Sequence, residues 1–266
     1  MTETRFSFGE NWSSYAKDAG QAELEEAVHG LSRLLPGRFD PAGRTFLDIG
    51  SGSGLHSVAA ARLGFNPVYA TDYDPQSVAT TAVVAERFGV QNRITTGRDD
   101  ILNSGVGGPF DVVYSWGVLH HTGDMWRAID AAAERVAPEG LFIIAIYRRT
   151  AMCGVWKWIK YVYCKAPPPV QTAMIYGYLT CRTVGRPISR LRHGHRLSDR
   201  PTNRGMTRWH DAVDWLGGYP YESAPPQAIV DHLGGRFACL QIVGATPVGT
   251  GLGGSGCAEL VFRRAG

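Results

Sequence analysis

Three glycines on alternate positions, Gly50, Gly52 and Gly54, follow an acid, Asp48, in the segment that begins with the apolar run at Thr45. Glycine lets a backbone turn sharply and come close to a ligand, because a Cβ would collide or forbid positive φ. A ligand is therefore expected across Gly50–Gly54, where a strand opens directly into a helix. A second acid, Asp72, closes the next apolar run, Val68-Tyr69-Ala70-Thr71-Asp72. A carboxylate at such a strand tip can accept both hydroxyls of a ribose. Asp74 competes for that role two residues on, and its other reading is a helix N-cap ahead of Pro75. Histidines able to carry a proton near neutral pH stand at two places, His120 and His121 in Leu119–Asp124 and His210 in Trp209–Glu222.

The spacing separates two cofactor chemistries. A dinucleotide fingerprint is GxGxxG and sets pyrophosphate on a helix N-terminus, whereas this chain has GxGxG behind a carboxylate. Asp48 would repel a pyrophosphate and suits the ammonium of the methionine portion of S-adenosylmethionine. Methyl transfer from a sulfonium is an in-line displacement in which proximity and alignment supply most of the effect. A base is needed only where the acceptor must lose a proton, and His121 or His210 is the expected base, with His120 a third candidate. No HxxxH or metal-type acid spacing joins His120, His121, His210, Asp211 and Glu222, so no metal is expected. A nicotinamide-dependent oxidoreductase, with pyrophosphate at Gly50–Gly54, and a non-catalytic cofactor-binding protein are the alternatives.

These residues need a scaffold that brings strand tips together. Apolar strands at Thr45–Gly50, Pro67–Asp72, Arg93–Thr96, Phe110–Ser115 and Leu141–Tyr147 alternate with helices at Leu55–Leu63, Pro75–Phe88 and Met125–Val136. That alternation predicts an α/β fold, a doubly wound, mostly parallel sheet with helices on both faces. A helix near Pro226–Leu233 and strands at Phe237–Val243 and Cys257–Phe262, joined by a glycine-rich turn at Gly249–Gly256, complete seven strands and predict a terminal antiparallel hairpin. The first ~40 residues read as an amphipathic helical lead-in, with Leu24, Val28, Leu31 and Leu35 at helical spacing and Pro36 and Pro41 closing it.

At 266 residues, 44% hydrophobic and 19% charged, the chain has ordinary globular composition and fits one large domain with a substantial insertion. No apolar run nears the roughly 20 residues of a membrane span, and the start shows no secretory signal, so a cytoplasmic protein is expected. Five cysteines without a CxxC pair predict neither a disulfide framework nor a zinc site. The net charge of +3 conceals an asymmetry: residues 148–208 hold 13 of the 27 Lys and Arg and a single acid, Asp199.

Residues 45–147 with the closing hairpin resemble class I S-adenosylmethionine-dependent methyltransferases of the type-11 group, which includes ubiquinone-biosynthesis O-methyltransferases. The resemblance covers about two thirds of the chain and implies a Rossmann-like fold with S-adenosylmethionine as cofactor. It implies that the Asp48–Gly54 loop holds the methionine portion and Asp72 the ribose. It further implies that Asp99, or Asp100 beside it, bonds the adenine amino group, and that the strand ending at Ser115-Trp116 lies beside the transferable methyl. Ser115 stands where many relatives carry an acid or Asn. The segment Phe6–Tyr15 is similar to an aromatic lead-in of some relatives, in which Tyr15 would reach the methionine carboxylate; its other reading is that Trp12 and Tyr15 pin the helix to the sheet. The blocks Trp209–Glu222 and Gly251–Cys257 are similar to a poorly characterised subgroup of the same family.

The organisation expected is a lead-in or lid at 1–44, a cofactor domain at 45–147 and 220–266, and a basic, aromatic helical cap at 148–219 that sets acceptor choice. In that cap Trp156, Trp158, Tyr161 and Tyr163 interleave with Lys157, Lys160 and Lys165, while Arg182, Arg186 and Arg190 follow at four-residue spacing. Three readings stay open: a solvated basic face, a lid whose arginines hold an anionic acceptor, and peripheral contact of 156–192 with anionic lipid. No nucleic-acid module accompanies the charge. The function expected is methyl transfer to a small-molecule acceptor, oxygen being favoured over nitrogen or carbon by family analogy.

Overall fold

The computed structural model describes residues 8–193, 208–244 and 256–266. Seven strands, β1 (Phe46–Ile49), β2 (Val68–Asp72), β3 (Ile94–Arg98), β4 (Phe110–Trp116), β5 (Val136–Tyr147), β6 (Phe237–Val243) and β7 (Cys257–Arg264), form one sheet. Their order is β3-β2-β1-β4-β5-β7-β6. The first five run parallel, and β7 is antiparallel to both β5 and β6. The late strand β7 thus sits between two earlier ones, and the expected antiparallel end is present. Of the expected glycine-rich turn, residues 249–255 lie outside the described residues.

Continuous burial along Leu141–Tyr147 follows from helices covering both faces of the sheet. One face is packed by α1 (Gly9–Asp18), α2 (Gln21–Ser32), α3 (Leu55–Leu63) and α4 (Pro75–Arg87), through residues such as Tyr15, Leu24, Leu31, Val58 and Val84. The other is packed by α5 (Met125–Glu134) and α9 (Pro226–Leu233), through Ile129, Ala132, Ile229 and Leu233. The lead-in is two helices, broken where Gly20 takes an extended conformation and Glu23 returns a side-chain bond to its N–H. Within it Leu24 and Leu31 are fully buried. The fifth strand begins earlier than its apolar run: Val136 pairs with Phe110 and Leu141 with Val112, and the intervening residues bulge through Glu139 at φ +61°.

Three helices, α6 (Cys153–Lys165), α7 (Pro168–His193) and α8 (Arg208–Gly217), build a separate apolar cluster on the carboxyl end of β5. Its buried members include Tyr147, Trp156, Tyr163, Leu216 and Tyr221. The side chains of Arg182, Arg186 and Arg190 lie outside the described residues. Among the described residues no helix is long and apolar enough to cross a membrane.

Candidate active site

The three loop glycines adopt φ of +80°, +55° and +79°, and each meets a different neighbour. A Cβ on Gly50 would lie 2.3 Å from Val118 Cγ2, one on Gly52 3.2 Å from the Trp12 ring, and one on Gly54 2.7 Å from Thr81 Cα. The loop is therefore pressed between the turn after β4, helix α1 and helix α4. Its amides are fixed from below, since Gly50 N–H and Ser51 N–H both donate to Thr71 O at 2.8 and 2.9 Å.

Asp48 does not reach the ligand side of this loop, a correction to the sequence expectation. Its carboxylate is buried under the turn and accepts from Ser57 Oγ in the first turn of α3 at 2.5 Å. Burial pushes its carboxyl up to about 7; the Ser57 hydrogen bond works against that rise and the nearby Asp72 charge adds to it. Gly54 likewise serves as the N-cap of α3 against Thr81 and does not line the cleft.

A cleft of ≈ 440 Å³ opens over the carboxyl ends of β1, β2 and β4. Of the expected cofactor residues, Tyr15, Gly50, Gly52, Asp72 and Asp99 line it. Asp72 Oδ2 accepts from Gly52 N–H and Oδ1 from Asp74 N–H, both at 2.9 Å, so the second strand tip is tied to the glycine loop. Burial raises the Asp72 carboxyl to about 6, opposed by those backbone donors. Asp74 is the N-cap of α4, accepting from Gln76 N–H, and its other oxygen accepts from Gly9 N–H at 3.0 Å. Asp99 and Asp100 both line the cleft beside Ile101, and each accepts a backbone N–H, Asp99 Oδ1 from Gly105 and Asp100 Oδ1 from Leu102 in the turn at Ile101–Asn103, both at 3.1 Å.

At the other end the cleft is walled by Phe8, Trp116, His121, Tyr147, Asp214 and Tyr219. Neighbours on one tight turn, His120 and His121 pack ring to ring at 4.3 Å between centroids but differ in exposure to the cleft. His120 is fully buried against Tyr147 at 4.0 Å between ring centroids and does not line the cleft. His121 does line it, with Nδ1 2.6 Å from Pro220 O. A carbonyl only accepts, so Nδ1 carries the proton and Nε2 is the basic nitrogen of the neutral ring. His210 is also off the cleft wall: it stands on α8 facing α1, with Nε2 3.3 Å from Ser14 Oγ and its ring 6.1 Å from that of Tyr15. Ser115 is buried and donates Oγ to Ile49 O at 3.0 Å, which stitches β4 to β1 rather than reaching the cleft. Among the described residues no group of three or more His, Cys, Asp and Glu is placed to hold a metal ion.

Several residues that shape this end give little warning in the sequence. Trp116 is oriented by Glu259 of β7, which accepts its Nε1–H at 2.8 Å while both carboxylate oxygens accept from Arg33 at 2.8 and 2.6 Å. Lys160, expected on a basic face, is completely buried. Its signal was available: Trp156, Lys160 and Tyr163 recur at helical spacing and all face inward, while Trp158 and Tyr161 are exposed.

A glycine loop at the first strand tip, acids at the next two and an antiparallel β5-β7-β6 end define a doubly wound cofactor-binding domain of the methyltransferase type. The chain belongs to the methyltransferase domain family, whose model matches residues 18–205. It is 36% identical over 126 residues to a ubiquinone biosynthesis O-methyltransferase of Caulobacter sp. (strain K31), covering 47% of this chain and 50% of that protein. It is 33% identical over 146 residues to a ribosomal protein L11 methyltransferase of Pelotomaculum thermopropionicum, covering 50% of this chain and 46% of that protein. The chain thus spans about half the length of the curated relatives it matches. Among solved structures, magnesium protoporphyrin IX methyltransferase from Synechocystis PCC 6803 with bound SAH aligns over 92% of this chain and 84% of that one, with TM-score 0.56 and 17% identity. N-methyltransferase NodS from Bradyrhizobium japonicum WM9 aligns over 97% and 98%, with TM-score 0.53 and 15% identity.

Proposed function

We propose that this protein is an S-adenosylmethionine-dependent methyltransferase that methylates a hydroxyl oxygen of a small, planar acceptor, with His121 as general base. The observation that carries the reading is one cleft with a glycine cradle and two strand-tip acids at one end and, at the other, a histidine whose Nδ1 is bonded to the Pro220 carbonyl. The cradle suits the cofactor because Gly50 and Gly52 present bare backbone to the cleft at positive φ. Asp72 would take the ribose, since a carboxylate has about four acceptor positions and the backbone donors of Gly52, Asp74 and Tyr73 do not use them all. Asp99 would take the adenine edge, with Ile101 against the ring. Family membership and the O-methyltransferase named among the relatives support the same reaction class.

The cofactor supplies an electrophilic methyl group on a sulfonium, and its departure needs no acid. What this chain adds is alignment and proton removal. A neutral amine can attack without a base, but a hydroxyl gains by losing its proton as it attacks. His121 Nε2 is the group to receive that proton, and the Pro220 carbonyl steadies the imidazolium through Nδ1–H. The aromatic walls, Phe8, Trp116, Tyr147 and Tyr219, favour a flat acceptor. The reading is tested with a panel of phenols and catechols, following S-adenosylhomocysteine release. His121→Gln should lower kcat by roughly 10²–10⁴-fold while leaving S-adenosylhomocysteine affinity within about threefold. Unchanged turnover in that variant would reject His121 as the base.

A further inference from the structure

Behind the acceptor wall lies a buried cation that cofactor binding does not use. The Lys160 ammonium sits over the Trp215 ring at 4.1 Å from its centroid, with the Tyr221 and Tyr147 rings at 5.3 and 5.4 Å. It donates a hydrogen bond to Trp215 O. Such a cage suits a charged ammonium, because three aromatic faces replace part of the lost hydration. One of these rings, Tyr147, touches both histidines directly: it packs edge-on against His121 at 5.3 Å and against His120 at 4.0 Å.

Gly218 brings the two nitrogen groups together. A Cβ there would lie 2.6 Å from His121 Cε1, 3.1 Å from His121 Nε2 and 3.1 Å from Lys160 Nζ. Both nitrogens border one empty Cβ position, so they are within roughly 6 Å of each other, the range over which one charge alters another group's titration. We propose that Lys160 is a positioning residue whose caged ammonium keeps His121 neutral, so that Nε2 stays available as a base in mildly acidic solution. The proposal rests on the reading of His121 as the base.

The order of charging agrees with it. Burial brings the Lys160 ammonium down to about 7, with Asp214, Cys164 and Cys257 drawing it back up. On acidification Lys160 is therefore charged before a histidine of ordinary pKa, about 6.5, would protonate. The other titratable groups around His121 are His120 on its own turn, Tyr147 from β5, Asp214 from α8, and Tyr219 and Glu222 beyond it. Asp214 opposes the effect and Glu222 is engaged with Met125 N–H at 2.9 Å, while Lys160 is the cation among them. A unit charge about 6 Å away moves such a group by about one to two pH units.

The experiment is an NMR titration of the His121 ring in the full chain, assigned with His121→Gln, in wild type, Lys160→Met and Lys160→Arg. The expected wild-type midpoint lies below about 6.5, the Met variant raises it by at least about one pH unit, and the Arg variant restores it. The acid limb of the kcat profile should move in parallel. A wild-type midpoint at or above the ordinary histidine value would overturn the proposal, and that measurement decides the matter if Lys160→Met does not fold. A folded Lys160→Met with an unchanged midpoint would overturn it as well. Because the titration is read without turnover, an active His121→Gln would sink the base reading while leaving the measured coupling to stand.

Discussion

Alanine at Gly50 should destabilise the fold by about 2–5 kcal/mol, and the cost divides into two parts that can be separated. The first is conformational: at φ +80° an L-residue loses roughly 1–2 kcal/mol that glycine does not. The second is steric, because the new methyl would lie 2.3 Å from Val118 Cγ2 and 2.7 Å from Cγ1, a collision of the overpacking kind worth about 1–3 kcal/mol. Trimming the neighbour isolates the second part. In a double-mutant cycle of Gly50→Ala with Val118→Ala, the coupling should recover about 1–3 kcal/mol, and the conformational part should remain. Urea unfolding of the four proteins measures these terms, and calorimetry with S-adenosylhomocysteine should show weakened binding in Gly50→Ala, whose backbone lines the cleft. A cost of Gly50→Ala that is the same with Val118 present or trimmed would refute the steric account. A total under about 0.5 kcal/mol would refute both parts.

Two further predictions concern the buried acids. The Asp48 carboxyl keeps its proton to about pH 7 when folded, against 3.8 as its ordinary value, so the folded state binds more protons in that window and stability falls as pH rises through it. Asp48→Asn keeps an acceptor for Ser57 and does not titrate; its stability relative to wild type should therefore grow between pH 5 and pH 8 by about 2–3 kcal/mol. Thermal melts at the two pH values check this, and a constant difference would count against it. Asp72→Asn should weaken S-adenosylhomocysteine binding by roughly 10–100-fold, as expected when a charged acceptor of two hydroxyls is lost. Calorimetry above pH 7 gives the answer, and an unchanged affinity would remove Asp72 from the ribose site.

Elements whose pattern is local were legible in the chain. The helices at Leu55–Leu63 and Pro226–Leu233 and the strand at Phe237–Val243 start and stop where apolar periodicity, Pro and Gly say they should. The glycine loop was legible for the same reason, because positive φ at three alternate positions leaves glycine as the residue that fits. Side-chain direction was not. Asp48 and Ser115 end strands at the site yet turn into the protein, one to Ser57 and the other to Ile49 O, and strand position alone does not say which oxygen or amide waits there. His120 and His121 are adjacent, and the difference between them is set by Pro220, about a hundred residues away in sequence. Lys160 was hidden by composition. A stretch rich in Lys and aromatic residues reads as a wet surface until its helical spacing is divided into two faces, one carrying Trp156 and Tyr163 and the other Trp158 and Tyr161.

The placement of β7 between β5 and β6 has a consequence for biosynthesis. Residues Leu141–Tyr147 of β5 find their antiparallel partners only in Cys257–Arg263, more than a hundred positions later. While the ribosome is still translating the intervening chain, that edge offers unsatisfied N–H and C=O groups beside a run of Phe142, Ile143, Ile144 and Ile146. A product stopped before Cys257 would carry the same exposed strand permanently, a template for pairing with other copies. Shortened versions should therefore collect in inclusion bodies, even though every residue placed on the cleft wall precedes the missing strand.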